Sequence, residues 1–424
     1  MSFLSVFERL PMERLRELSL MATESQVRSV LARSRLGLDD FAVLISPVAG
    51  ASLETMGQRS RALTQQRFGK VIRMFAPLYL SNECVNNCKY CGFSRDNPIL
   101  RVTLSVEEVM AEARSIQAQG FRNLLLVAGE QPRFVSASYL EDCVRVLHPL
   151  FPSISLEIGP LGTEDYRRLV ESGAEGLVVY QETYNRKVYE DLHTSGPKRD
   201  FAGRLEVPER AYGAGMRRLG IGALLGLADW RQEMICLAAH AQYLQRHCWK
   251  AYLTISLPRM RPHAGGYEPR HVLSDRELAQ VVCALRLMFP DVGLVLSTRE
   301  RSVLRDGLVP LGITMISAGS HTEPGGYTGA GQGKLHLTQR GKVVPLATDA
   351  AEYAAVAGLT SANATVQFEI ADQRSSAEVA DHLRRMGYEP VWKDWDLALG
   401  AEVPEPEDLV VPACNTHPTC NATS

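Results

Sequence analysis

The residues best suited to chemistry are three cysteines in one short stretch, Cys84-Val-Asn-Asn-Cys88-Lys-Tyr-Cys91. The chain holds only 9 cysteines in 424 residues, so this density is not a chance cluster. The apolar run Val71–Leu80 just upstream reads as a buried strand, which puts the cysteines on a loop at a strand end. Three thiolates on one loop suit an iron–sulfur cluster. On a four-iron cubane, three protein ligands leave one iron open to a reactant. Zinc sites ask for four ligands, mostly as paired CxxC halves or HxxxH, and no histidine lies near this loop. A disulfide would leave one thiol over. A zinc-binding structural barrel is kept as the alternative from another class.

The elements that must position this loop follow a regular beat. Short apolar runs at Val71–Leu80, Asn123–Gly129, Ser153–Gly159, Gly176–Glu182, Gly220–Gly226, Ala251–Pro258, Gly293–Arg299 and Gly312–Ser320 alternate with amphipathic stretches. Ser105–Gln119, Thr163–Ser172, Arg231–Gln245 and Ser274–Met288 have helical spacing. The pattern predicts an α/β fold, a parallel sheet closed as a (β/α)8 TIM-type barrel over 71–333. An open doubly wound sheet is the alternative. Residues 1–70 read as an N-terminal helical cap on the bottom of the barrel. Residues 334–400 read as a C-terminal extension packed on the barrel, with a helix at Ser376–Met386 and Trp392 and Trp395 as packing anchors. Residues 401–424 have the composition of a disordered tail.

In such barrels the chemistry sits at the C-terminal ends of the strands. Strand two ends in Gly129-Glu130, and small residues there admit close backbone approach. Glu182 ends strand four and could accept from an ammonium or a ribose hydroxyl; Arg204 has the planar fork for a carboxylate. Gly222 and Gly226 lie inside strand five, which excludes a dinucleotide-binding turn. Arg259, Arg261 and His263 follow strand six and could bind an anionic group, though a lone loop histidine is more often solvated or structural. Arg299 and Arg305 after strand seven face Ser320 and Thr322 after strand eight, a set suited to a substrate carboxylate. Gly325–Gly333 does not fit a P-loop and reads as a flexible lid over the mouth.

Bulk composition narrows the classes. With 46 basic and 48 acidic residues the net charge is −2, which gives no footprint for nucleic acid. No apolar run is long enough to span a membrane. The N-terminal stretch interrupts its apolar pattern with charge and lacks a signal peptide's core. A cytoplasmic location is expected, where thiols stay reduced.

The cysteine loop resembles the radical S-adenosylmethionine (SAM) signature CxxxCΦxC, with Tyr90 as the aromatic Φ. The resemblance implies a 4Fe-4S cluster on Cys84, Cys88 and Cys91 whose open iron chelates the amino and carboxylate groups of SAM. It implies an electron transfer that yields a 5′-deoxyadenosyl radical. Gly129-Glu130 resembles the GGE element that contacts the methionine amino group, with one glycine absent. By the same resemblance Tyr90, Glu182 and Arg204 belong to the SAM site, and Gly222 and Gly226 pack near the adenosine. The stretches Pro77–Asn82, Cys91–Ser94, Gln181–Tyr184, Ser195–Lys198 and Ser317–Ser320 are similar to the aromatic amino-acid lyases. The stretch 389–396 is most similar to the tyrosine lyase of thiamine biosynthesis. This implies that L-tyrosine, SAM and an electron give 2-iminoacetate, p-cresol, methionine and 5′-deoxyadenosine. Arg305, helped by Ser320 or Thr322, is the expected carboxylate anchor, with Arg299 second. A tryptophan lyase and a hydrogenase-maturase-like tyrosine lyase are the alternatives. Cys414 and Cys420, with His417 between them, do not match the maturase's three-cysteine extension. Implied partners are a reducing electron donor and thiazole synthase.

Overall fold

The computed structural model describes residues 2–339, 342–346, 349–357 and 365–392. Trp395 and the tail with Cys414, His417 and Cys420 lie outside the described residues. Parallel strands buried on both faces must be apolar throughout. β1 (Val71–Ser81) meets that demand, with Ile72, Met74, Ala76, Leu78 and Leu80 all essentially inaccessible. Seven more parallel strands follow: β2 (Asn123–Ala128), β3 (Ser153–Glu157), β4 (Gly176–Glu182), β5 (Arg218–Ala223), β6 (Tyr252–Ser256), β7 (Gly293–Leu296) and β8 (Met315–Ser317). They pair in sequence order, and β8 pairs back to β1 with Arg73 opposite Met315. The sheet is therefore a closed barrel, and the open-sheet alternative falls.

The helices between the strands begin where the sequence supplies a cap. Ser105 with Glu108 and Ser274 with Glu277 form capping boxes at α2 (Val106–Ala118) and α5 (Asp275–Met288). Each such cap contributes about 1 kcal/mol. α3 (Thr163–Glu171) and α4 (Trp230–His247) complete the helices used below. The β7–β8 link carries only α6 (Ser302–Leu308). The outer layer is thin there, and α1 (Leu53–Phe68) fills it beside α5.

The N-terminal helices pack against the outer helices α4 and α5. Gln280 on α5 donates to the carbonyls of Leu44 and Ser46 at 2.8 Å each, and Arg231 on α4 donates to Ile45. Phe3 stacks on His240 with 4.0 Å between centroids. Backbone carbonyls at the ends of the short N-terminal helices lack intrahelical partners. Side chains of the barrel's outer helices supply them.

The C-terminal part returns to the barrel twice. The hairpin β9 (His336–Gln339) and β10 (Lys342–Pro345) reaches the buried Glu83 through His336 at 2.8 Å and Thr338 at 2.6 Å. After α7 (Ser376–Arg385), which stops at Gly387 with φ +80°, β11 (Glu389–Val391) pairs with the start of β1. Trp392 packs edge-on against Phe121.

Candidate active site

The loop after β1 is fixed before any ligand is considered. Arg101, 2% exposed, donates to the carbonyls of Asn82, Phe93 and Ser94 at 2.6–2.9 Å. Asn97 donates to the carbonyls of Cys91 and Gly92. A short antiparallel ladder joins Asn87–Cys88 to His193–Ser195. Gly129 lies so close to the loop that a Cβ there would stand 2.2 Å from the Glu83 carbonyl oxygen.

Cys84, Cys88 and Cys91 line one cavity together with Glu130, Glu182, Lys198 and Arg204. Burial pushes the Cys88 and Cys91 thiols up; Lys198 opposes this, and the neighbouring cysteines add to it. Three thiolates at one wall need positive charge among them, as iron supplies. Among the described residues no three His, Cys, Asp or Glu side chains converge tightly enough to chelate one ion. Thiols set around a cavity suit a body with several metal corners, so the residues fit a cubane.

The opposite wall is a pre-formed charge network. Glu182 is the one non-glycine residue with positive φ among those described, at +70°. That conformation costs roughly 1–2 kcal/mol and marks functional sites more often than others. Glu233 of α4 holds the turn in place, accepting from the Thr183 hydroxyl and the Tyr184 N–H at 2.7 Å each. The Glu182 carboxylate then meets Lys198 Nζ at 2.7 Å and Arg204 at 3.6 Å. Burial alone would raise this carboxyl's pKa; Lys198 and Arg204 overcome it and hold it below the usual range. The Lys198 N–H donates to Asn86 Oδ1, and Asn86 Nδ2 donates to Glu130 at 2.7 Å. Gly196, φ +94°, is required for this approach, since a Cβ there would lie 2.3 Å from Asn86 Oδ1.

A second cavity opens beside the first at the barrel mouth. Phe75, Tyr79, Tyr180 and Phe368 give it aromatic walls, and Arg299, Ser320 and Thr322 give it polar ones. Val127, Glu157 and Tyr180 line both cavities, so the two meet at a common wall. The Arg299 guanidinium sits 3.3 Å above the Phe368 ring and makes no ion pair among the described residues. Ser320 Oγ is buried without a hydrogen-bond partner.

The covering element is a strap at residues 365–372. Its backbone bonds to Gly92 in the cysteine loop, Pro262 after β6, Thr298 after β7 and Thr322 after β8. Gln367 accepts from the Tyr79 hydroxyl at 2.8 Å and approaches Cys91 Sγ at 3.9 Å. The sequence offers no chemical motif for this strap; polar and apolar residues alternate over 365–370, the period of an extended segment, which says nothing of what it covers.

Several expected site residues stand elsewhere. Arg305, 2% exposed, is spent on Asp372 and the Ser317 carbonyl and does not line the mouth cavity. Its helix turns it toward the strap's anchor, while Arg299 takes the wall. Tyr90 does not line the cavity, though Lys198 Nζ lies 5.5 Å from its ring centre, and its hydroxyl bonds His193 Nε2 at 2.7 Å. Burial drops the His193 pKa to about 3, so the neutral ring accepts from Tyr90. Gly222 makes room for the Tyr180 ring, and Gly226 packs against Pro269 and Met260; neither lines the two cavities. Arg259 is tied to Glu300 and Asp275. His263 bridges the carbonyls of Arg261 and Lys89. The glycine-rich stretch is no loose lid: Glu112 accepts from the N–H groups of Tyr327 and Thr328, and Tyr327 Oη donates to Pro77. Lys198, Asn86, Glu157, Tyr180 and Gln367 were not singled out by sequence. Lys198 had one signal, the Ser195–Lys198 stretch itself.

The sequence matches the radical SAM superfamily over residues 78–236 and the biotin and thiamin synthesis associated domain over residues 256–389. It is 40% identical to the 2-iminoacetate synthase of Escherichia coli K12 over 379 residues, 89% of this chain and 92% of that protein. Among solved structures, the FeFe-hydrogenase maturase HydG from Carboxydothermus hydrogenoformans aligns with a TM-score of 0.73 and 32% identity, covering 92% of this chain and 82% of that one. A second HydG structure aligns with a TM-score of 0.77 and 29% identity, covering 90% and 79%. A thiol-lined cavity at the mouth of a closed barrel and a full-length relative agree: the chain belongs to the 2-iminoacetate synthase family of radical SAM enzymes.

Proposed function

We propose that this enzyme cleaves the Cα–Cβ bond of L-tyrosine, giving 2-iminoacetate and p-cresol for the thiazole moiety of thiamine. The observation that carries the reading is the pair of cavities sharing a wall, one lined by thiols and the other by aromatic rings and Arg299. The 40% identity to a 2-iminoacetate synthase supports it. Cys84, Cys88 and Cys91 would hold the cluster, and Glu130, Glu182, Lys198 and Arg204 would bind the polar groups of SAM. When bound, cluster and SAM together supply a 5′-deoxyadenosyl radical that takes one hydrogen atom from the substrate amine.

The chain's own task is to hold that amine at the shared wall. Arg299 takes the substrate carboxylate, with Ser320 and Thr322 beside it; it replaces Arg305 in that role. Stacking on Phe368 keeps the guanidinium in place and weakly hydrated. The strap excludes water, which protects a reactive intermediate. The balance takes two electrons, which corrects the single electron expected from the resemblance. One cleaves the sulfonium; the other, with a proton, converts the 4-hydroxybenzyl fragment to p-cresol.

Among the described residues no helix is long and apolar enough to cross a membrane; a cytoplasmic location and a thiazole synthase partner that takes up the unstable imine belong to the same proposal. Co-purification with that synthase tests the partner. The activity is tested by offering tyrosine and tryptophan side by side to air-free, cluster-loaded enzyme with SAM and reductant. Release of p-cresol from tyrosine alone is expected. SAM cleavage without p-cresol overturns the substrate, and tryptophan fragments replace it.

A further inference from the structure

Glu157, the last residue of β3, has no role in the reading so far. It lines both cavities, and its carboxylate makes no hydrogen bond or ion pair among the described residues. Every other carboxylate of the cofactor cavity has a partner: Glu130 has Asn86, and Glu182 has Lys198 and Arg204. The mouth cavity is lined by a second charge without an ion pair among the described residues, the Arg299 guanidinium. No ion pair joins the two, though they feel each other electrostatically. Isolated charges taken from water are costly unless a partner arrives. Two opposite charges that line one cavity without pairing, among aromatic rings, complement a zwitterion that carries a ring.

We infer that Glu157 holds the α-ammonium group of the amino-acid substrate at the wall shared with the SAM cavity. The inference deepens the lyase reading and rests on it. With the carboxylate on Arg299 and the ammonium on Glu157, the substrate nitrogen is the atom nearest the cofactor, and the side chain extends among Phe75, Tyr79 and Tyr180. A hydrogen atom can be taken only from the free amine's N–H if a radical on nitrogen is to be neutral. Glu157 can accept the ammonium's proton: one N–H bond breaks heterolytically, one O–H bond forms, and no electron is gained or lost. The groups facing it set its readiness. Burial lifts its carboxyl to about 7; Arg299, Lys198 and Arg204 pull it down and Glu182 pushes it up.

The test compares L-tyrosine with 3-(4-hydroxyphenyl)propionate, which lacks only the amine, on cluster-loaded enzyme in the presence of SAM. Equilibrium dialysis reads each affinity for wild type, Glu157→Gln and Glu157→Asp. Wild type should prefer tyrosine by roughly tenfold or more, the scale of one charge-assisted hydrogen bond. Glu157→Gln should shrink that preference to about twofold, with SAM affinity and the cluster's visible absorption unchanged. Glu157→Asp should restore part of it. Cluster absorption shows that each variant is folded. An undiminished preference in Glu157→Gln overturns the inference, and so does a loss of SAM affinity in place of tyrosine affinity. Wild type that binds no tyrosine overturns the lyase reading as well, so the two failures are told apart.

Discussion

The two cavities at the barrel mouth are built on opposite plans. In the cofactor cavity the carboxylates are satisfied by the chain itself: Glu182 by Lys198 and Arg204, Glu130 by Asn86. In the neighbouring cavity Arg299 rests on an aromatic ring and Glu157 has no partner. The first is a seat whose charges are ordered by internal pairing. The second leaves charge open for an incoming molecule to match. A site that pairs its charges internally gains order, and one that leaves them open gains discrimination, because a ligand lacking the matching group strands a buried charge.

The comparison can be broken most severely at the cofactor side. Cys88→Ala should abolish SAM cleavage, and the absorption and paramagnetic signals of the cluster should vanish; a variant that still cleaves SAM would place the cluster elsewhere. On the other side, Arg299→Ala should keep the cluster and lower kcat/KM for tyrosine by about 100-fold or more, the expected loss from one buried charge pair. Steady-state kinetics together with the cluster spectrum decide this.

Arg305→Ala sharpens the contrast, because it sits close in sequence to Arg299 and serves another end. It leaves Asp372 with Arg374 alone, so the expected effect is a stability loss of about 2–4 kcal/mol in denaturant titrations. Tyrosine affinity of the folded protein should be unchanged; a selective loss of that affinity would return the anchor to Arg305.

The smallest effect concerns Glu157. Its folded pKa, about 7, lies above the ordinary glutamate value of 4.5, so the folded chain holds the extra proton between those two values. Stability is then present at low pH and lost as pH rises through about 7. Glu157→Gln removes that loss. At pH 8 its Tm should exceed wild type by about one to three degrees, with no gain at pH 4. A lower Tm at pH 8 would mean that the carboxylate is paired in the folded protein.

Much of this was legible in the sequence, for physical reasons. The barrel strands must be apolar on both faces, so β1 and β4 stand out as runs. Serine three residues ahead of glutamate marks the starts of α2 and α5. The cysteine spacing is set by the cluster and not by the fold. The misses came where one residue type serves two ends. Arg299 and Arg305 are the same residue near one strand end, and only the turn of α6 decides which faces the cavity. Glu157 reads as one polar residue closing an apolar run. The strap's polar–apolar alternation marks an extended segment, but its position comes from backbone hydrogen bonds to four loops, which no side chain announces.

The claim that the two cavities meet at the substrate nitrogen is tested most directly by the fate of hydrogen. In D2O, with SAM, reductant and tyrosine, the 5′-deoxyadenosine formed should carry one deuterium from the exchangeable amine. 3-(4-Hydroxyphenyl)propionate, which keeps the phenol and lacks the amine, should yield none. Unlabelled 5′-deoxyadenosine in D2O, with deuterium arriving instead from carbon-deuterated tyrosine, would contradict the account.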